Sequence, residues 1–168
     1  MDEKATTPVV RYPTVVDRTY KRFILPTSED ICYLRHPSGV VVVTLSARKV
    51  ASLPEGVIVT GVNWNTSQKK KGVDRSKVKV VGKSKKGALQ LQAETRLCIL
   101  ELSDGSELTL RAGIKGLLIE VNARLEKNPD LVRTARENRG YICILMPPPG
   151  TDRRHKPNEF NEETLVLG

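Results

Sequence analysis

The chain has 168 residues, with 28 Lys or Arg against 19 Asp or Glu and a formal charge of +9. Hydrophobic residues at 39% and charged residues at 28% allow one packed core and exclude a wholly disordered chain. Aromatic residues at 4% argue against a surface that reads single-stranded nucleic acid by stacking bases on rings, and no apolar run reaches the roughly 18 residues of a membrane span.

Residues 1–14 read as a flexible arm with Pro8 and Pro13, and their start, Met1-Asp2-Glu3-Lys4, has no apolar signal-peptide core, so an intracellular chain is expected. Val15 to Phe23 mixes apolar and charged residues and fits a short helix or a strand. Ile31 to His36 and Val40 to Leu45 are β-rich runs around Pro37-Ser38-Gly39, the pattern of a hairpin. Val57 to Trp64 is the next strand. The segment 67–86 then holds nine basic residues (Lys69, Lys70, Lys71, Arg75, Lys77, Lys79, Lys83, Lys85 and Lys86) and one acid, Asp74. It carries +8, whereas the remainder has 19 basic and 18 acidic residues. The basicity is therefore local, and a field of this kind attracts an acidic partner. Within it, Lys77-Val78-Lys79-Val80 alternates as a half-exposed strand does.

Leu97 to Leu102 and Glu107 to Leu110 flank Ser103-Asp104-Gly105-Ser106, and Asp-Gly between apolar runs is a strong hairpin signal. Ile114 to Asn122 reads as a strand, Ala123 to Asn128 as a short helix stopped by Pro129, and Asp130 to Asn138 as a second helical stretch. Tyr141 to Met146 is the last strand, closed by Pro147-Pro148-Pro149. Residues 149–168 read as a flexible tail. The domain is thus expected over 15–148, mainly β, with seven or eight short strands and one or two short helices in a small barrel or sandwich.

No residues assemble into a recognisable catalytic motif. Gly82-Lys83-Ser84 resembles the end of a phosphate-binding loop, but the required earlier glycine is Lys77 and no long helix follows. His36 and His155 have no carboxylate or thiol at ligand spacing and read as surface residues. Cys32, Cys98 and Cys143 each sit in an apolar run and read as reduced, buried thiols. Asn65-Thr66-Ser67 matches a glycosylation acceptor, silent without a secretory signal. Glu162-Glu163 lie in the tail. No catalytic residue, cofactor or metal ligand is expected.

Two segments carry a family resemblance. Gly116-Leu117-Leu118-Ile119-Glu120-Val121-Asn122, with Asn128-Pro129 and Gly140-Tyr141-Ile142, resembles the C-terminal half of the glycine cleavage system H protein, a lipoyl carrier. Val80-Val81-Gly82-Lys83-Ser84-Lys85-Lys86-Gly87-Ala88, with Val16-Asp17-Arg18 upstream and Ser103-Asp104-Gly105 downstream, resembles the Abitram family, also called Simiate, whose core is similar to the H protein. The resemblance covers roughly residues 15–148 and implies a barrel-sandwich hybrid of the lipoyl/biotinyl-carrier type. Lipoyl carriers hold a lysine at the tip of the hairpin before the G-x-x-x-E-V-N strand. Here that place falls at Gly105, and the nearest following lysine is Lys115.

The Abitram resemblance implies a non-enzymatic actin-binding protein, found in nucleus and cytoplasm and linked to transcription. The nine basic residues of segment 67–86 are the candidate contact to an acidic partner. Three readings compete for that segment: an actin or protein contact, a nucleic-acid module that binds phosphates without reading bases, and a nuclear import signal. A monomer without membrane attachment is expected.

Overall fold

A computed structural model of the chain describes residues 12–26, 28–64, 89–148 and 161–162. These residues form four short helices and ten strands, more strands than the seven or eight expected. Helix α1 spans Val15–Thr19 and helix α2 Ala47–Ser52. Helices α3, Arg124–Lys127, and α4, Leu131–Thr134, lie between the last two long strands. The strands are β1 (Lys21–Leu25), β2 (Ser28–Arg35), β3 (Val41–Leu45), β4 (Val59–Asn63), β5 (Leu89–Leu91), β6 (Arg96–Leu102), β7 (Glu107–Arg111), β8 (Gly116–Val121), β9 (Cys143–Met146) and β10 (Asn161–Glu162).

Two antiparallel sheets result. The larger has the order β10-β1-β2-β3-β9-β8-β5 and the smaller the order β4-β6-β7. Both hairpins expected from the sequence form. His36 N–H donates to Val40 O at 2.9 Å and Gly39 turns with φ +93°. Leu102 N–H donates to Ser106 O at 2.9 Å and Gly105 turns with φ +86°. Positive φ suits glycine because it has no Cβ to clash. The stretch open to helix or strand divides in two: Thr14 caps α1 with a reciprocal Asp17 contact, and β1 follows after Tyr20. Asp130 to Asn138 is helical only to Thr134, where Ala135 leaves helical geometry.

The core lies between the sheets. Phe23, Tyr33, Val43, Cys143 and Leu118 of the large sheet face Val59, Leu100 and Leu110 of the small one. Period-two alternation places these residues inside, as in strands buried on one face. The three cysteines are buried and free. Two residues of the segment read as a flexible tail, 161–162, pair with β1 at Phe23 and Ile24. Among the described residues no helix is long and apolar enough to cross a membrane.

Candidate functional site

The eight lysines and one arginine of segment 67–86 lie outside the described residues, as do Gly82-Lys83-Ser84, Asn65-Thr66-Ser67 and His155. What the structure gives is the flanks of that segment. Trp64 at the end of β4 is buried, and Leu89 opens β5, which pairs with β8 through Leu118. The segment therefore runs between two strands of different sheets.

At the tip of the β6–β7 hairpin, the Asp104 carboxylate accepts from Ser106 N–H at 2.9 Å and from its hydroxyl at 2.5 Å. These bonds hold the Asp104 carboxyl below its ordinary pKa. The base of the turn is tied to the loop before β4: Ser103 N–H donates to Ile58 O at 2.9 Å, and Ile58 N–H to Ser103 Oγ at 3.0 Å. The tip itself is open, since a Cβ at Gly105 would meet nothing within 4 Å. The residue at the tip expected from the resemblance to hold an amine, Gly105, has no side chain. Lys115 is exposed, directly before β8 and away from the tip.

The G-x-x-x-E-V-N motif works differently, as a set of fold contacts. Gly116 lets β8 approach β9, because a Cβ there would meet Met146 O at 2.9 Å. Glu120 accepts from the Tyr141 hydroxyl at 2.9 Å. Burial and that bond push the Tyr141 phenol up to about 12. Asn122 is buried; its amide donates to Arg139 O at 2.7 Å and Tyr141 O at 2.8 Å and accepts from Arg124 N–H at 3.2 Å. Gly140 packs so closely that a Cβ would overlap the Leu131 carbonyl. Together they fix the excursion that carries α3 and α4 between β8 and β9.

That excursion is fastened to both sheets. Asp130 accepts from Val59 N–H of β4 at 2.9 Å and from Arg133 at 2.8 and 2.6 Å. Burial raises the Asp130 carboxyl, but the Arg133 and Val59 bonds outweigh it and leave it below the ordinary value. At the other end Glu137 takes a two-pronged bond from Arg22 of β1, 2.6 Å on each side. Arg22 also pairs with Asp17 of α1 at 2.7 Å. The bonds from Thr14, then from Arg22, hold Asp17 at about 2. Burial pushes Glu137 up, but Arg22 and Arg136 more than reverse this, and its carboxyl stays below the ordinary value.

Among the described residues, clefts open on this frame. One of about 230 Å³ is floored by Leu34, Val42 and Ile144 on the outer face of the large sheet. One of about 500 Å³ lies by Asp30, Glu94 and Arg111. A third, about 660 Å³, is bounded by α1, Lys21, Arg35 and the His36–Pro37 turn. His36, expected at the surface, is half-buried there; its Nδ1 accepts from Ser38 N–H at 3.1 Å. Among the described residues no group of three His, Cys, Asp or Glu side chains is placed to hold a metal ion. Sequence reasoning missed the juxtaposition of Lys21 and Arg35. Its only signal is parity, since Lys21 and Phe23, like Tyr33 and Arg35, are two residues apart.

No family model matches the chain. An uncharacterised Caenorhabditis elegans protein is 47% identical over 134 residues, covering 80% of this chain and 81% of that one. Protein Abitram of Xenopus tropicalis is 33% identical, covering 83% of this chain and 76% of its own. Human Protein Abitram is 32% identical, covering 87% and 80%. The names these relatives carry are not those of enzymes. Among solved structures, a glycine cleavage system H protein from Mycobacterium marinum superposes with a TM-score of 0.53 at 17% identity, over 76% of this chain and 84% of that one. That likeness gives the fold, a barrel-sandwich hybrid of the H-protein kind. With this core, and with sequence identity to Protein Abitram extending over most of both chains, the protein belongs to the Abitram family.

Proposed function

We propose that the protein is a non-enzymatic, actin-binding member of its family that modulates filament assembly and acts in both nucleus and cytoplasm, with a link to transcription. Family membership is the observation that carries this reading. Gly105 at the hairpin tip supports the non-carrier part of it, because acylation needs an amine that glycine lacks. The +8 of segment 67–86 supports an electrostatic contact. A dense cationic strip steers association with an acidic surface and supplies part of the affinity. Single exposed charge pairs are worth only about 0–1 kcal/mol, so the strip acts as a group.

The test is co-sedimentation with actin filaments. Lys69→Glu, Lys70→Glu and Lys71→Glu together are expected to abolish pelleting with the melting temperature unchanged, and wild-type binding should weaken steeply with salt. Binding that survives the triple reversal would remove this segment from the mechanism. Salt-sensitive capture of unrelated DNA or RNA, with no actin in the pellet, would favour the phosphate-binding reading instead.

A further inference from the structure

Strand β7 ends one side of the small sheet, and among the described residues no other strand pairs with its outer edge. The opposite edge of that sheet, β4, is blunted, because the Asp130 carboxylate accepts its Val59 N–H. The edges of the large sheet, β5 and β10, are only three and two residues long. β7 has five residues and no proline. Leu102 N–H donates to Ser106 O at 2.9 Å, so by antiparallel alternation Ser106, Leu108 and Leu110 turn their backbone groups toward β6. Glu107, Thr109 and Arg111 turn theirs away from it. Against this edge lies the cleft of about 500 Å³, in which Thr109 and Arg111 are joined by Leu25, Asp30 and Ile31 of the large sheet.

The side chains of Glu107, Thr109 and Arg111 are exposed. Among the described residues the Glu107 carboxylate has no ion pair, and its register partner on β6 is another acid, Glu101. Arg111 gives one bond, to the Glu94 carbonyl at 2.8 Å, and among the described residues pairs with no carboxylate. Leu108 is only partly buried against the core.

We propose that β7 is a dimerisation edge, through which two copies of the chain pair antiparallel about a two-fold axis at Thr109 and join their small sheets into one. A two-fold axis sets residues equally far before and after it against each other. Centred on Thr109, the pairing engages all three outward-turned residues and puts Glu107 of each copy opposite Arg111 of the other. Opposite charges facing across antiparallel strands stabilise the pair, as do two facing threonines. Centred on Leu108 or Leu110, the match is lost, because Glu107 or Arg111 then faces Thr109. On the inner face Leu108 meets Leu110 of the second copy. The edge is thus complementary to itself, which separates a second copy from an unrelated extended peptide. Edges of five residues make a small interface, so the dimer is weak and depends on concentration. No residue of segment 67–86 takes part, and the dimer stands or falls apart from the actin reading.

Sedimentation equilibrium of the full chain from about 1 µM to about 1 mM, the span of weak association, should show monomer passing to dimer. Glu107→Arg and Arg111→Glu each set like charges face to face and should weaken association at least tenfold. Both side chains are exposed, so the melting temperature should hold. Mixed in equal amounts, the two variants again bring opposite charges together at both ends, and association should return to within about threefold of wild type. Glu107→Arg with Arg111→Glu in one chain should do the same. Thr109→Pro removes the central outward donor and should abolish the dimer. If a reversal unfolds the chain, Glu107→Gln with Arg111→Gln takes its place and should also weaken association. The proposal is overturned by a wild type that stays monomeric over the whole range, by undiminished association in the single reversals or the Gln pair, or by a dimer that survives Thr109→Pro. It also fails if neither the mixture nor the double swap restores association, which would set Glu107 and Arg111 against other groups.

Discussion

Replacing Asn122 with Ala removes a side chain that is 2% exposed and makes three hydrogen bonds to the backbone of the β8–β9 excursion. Each such bond contributes about 0.5–1.5 kcal/mol net, and a buried carbonyl left without a donor costs about 1–3 kcal/mol. Two carbonyls, those of Arg139 and Tyr141, lose this donor together. A loss near ~3 kcal/mol follows, equivalent to roughly 6–12 °C in melting temperature for a chain of this length. Urea unfolding followed by circular dichroism measures it, and the midpoint should fall with an unchanged slope. Asn122→Asp sharpens the test. It keeps the shape but sets a carboxylate oxygen against two carbonyls, so it should destabilise at least as much at neutral pH. The penalty should ease in acid, where a protonated carboxyl donates one bond. A change below about 0.5 kcal/mol for Asn122→Ala would refute the assignment of this motif to fold contacts.

Gly140→Ala should cost at least ~2 kcal/mol in the same assay, because a Cβ overlaps the backbone carbonyl of Leu131 and backbone yields little. Arg22→Ala breaks the contacts to Glu137 and Asp17, and its clearest sign is in acid. Both carboxyls are depressed, so their stabilisation is complete above the ordinary carboxylate range near pH 4 and is lost as the pH falls toward about 2. The wild type should lose stability across that window, and the variant should show a flatter profile by pH-dependent unfolding. Gly105→Lys should fold with a loss of about 1–2 kcal/mol from placing a side-chain residue at φ +86°, with no steric clash. Intact mass of the wild-type protein should show no lipoyl or biotinyl increment.

Local turn chemistry made much of the fold legible. Pro37-Ser38-Gly39 and Asp104-Gly105 marked both hairpins, and β-branched or apolar runs beside them marked β3 and β6. Helix α2 was not legible, since none of Ala47–Ser52 is fully buried; Ser46 caps it, accepting from Lys49 N–H at 3.0 Å, and Val50 packs partly on the core while Arg48 and Lys49 pair with Glu29 and Asp30 of β2. Strand β5, three residues long, is defined by its partner β8 more than by its own sequence. The second helical stretch was read too long because the chain turns back at Ala135, where Gly140 N–H donates to Ala135 O at 2.8 Å and Gly140 packs against Leu131 of α4. The contact of Arg22 with Glu137, 115 positions apart, and the meeting of Lys21 with Arg35 depend on strand register, which no local pattern encodes.

The open space around Gly105 separates reactivity from architecture. The residues that hold β8, β9 and their excursion in place, Gly116, Asn122 and Gly140, all lie outside the β6–β7 hairpin. A lysine gained or lost at the bend would leave every one of those contacts untouched. An open bend of this kind takes on a side chain at the cost of local backbone strain alone and passes none of it to the strands that hold the barrel together.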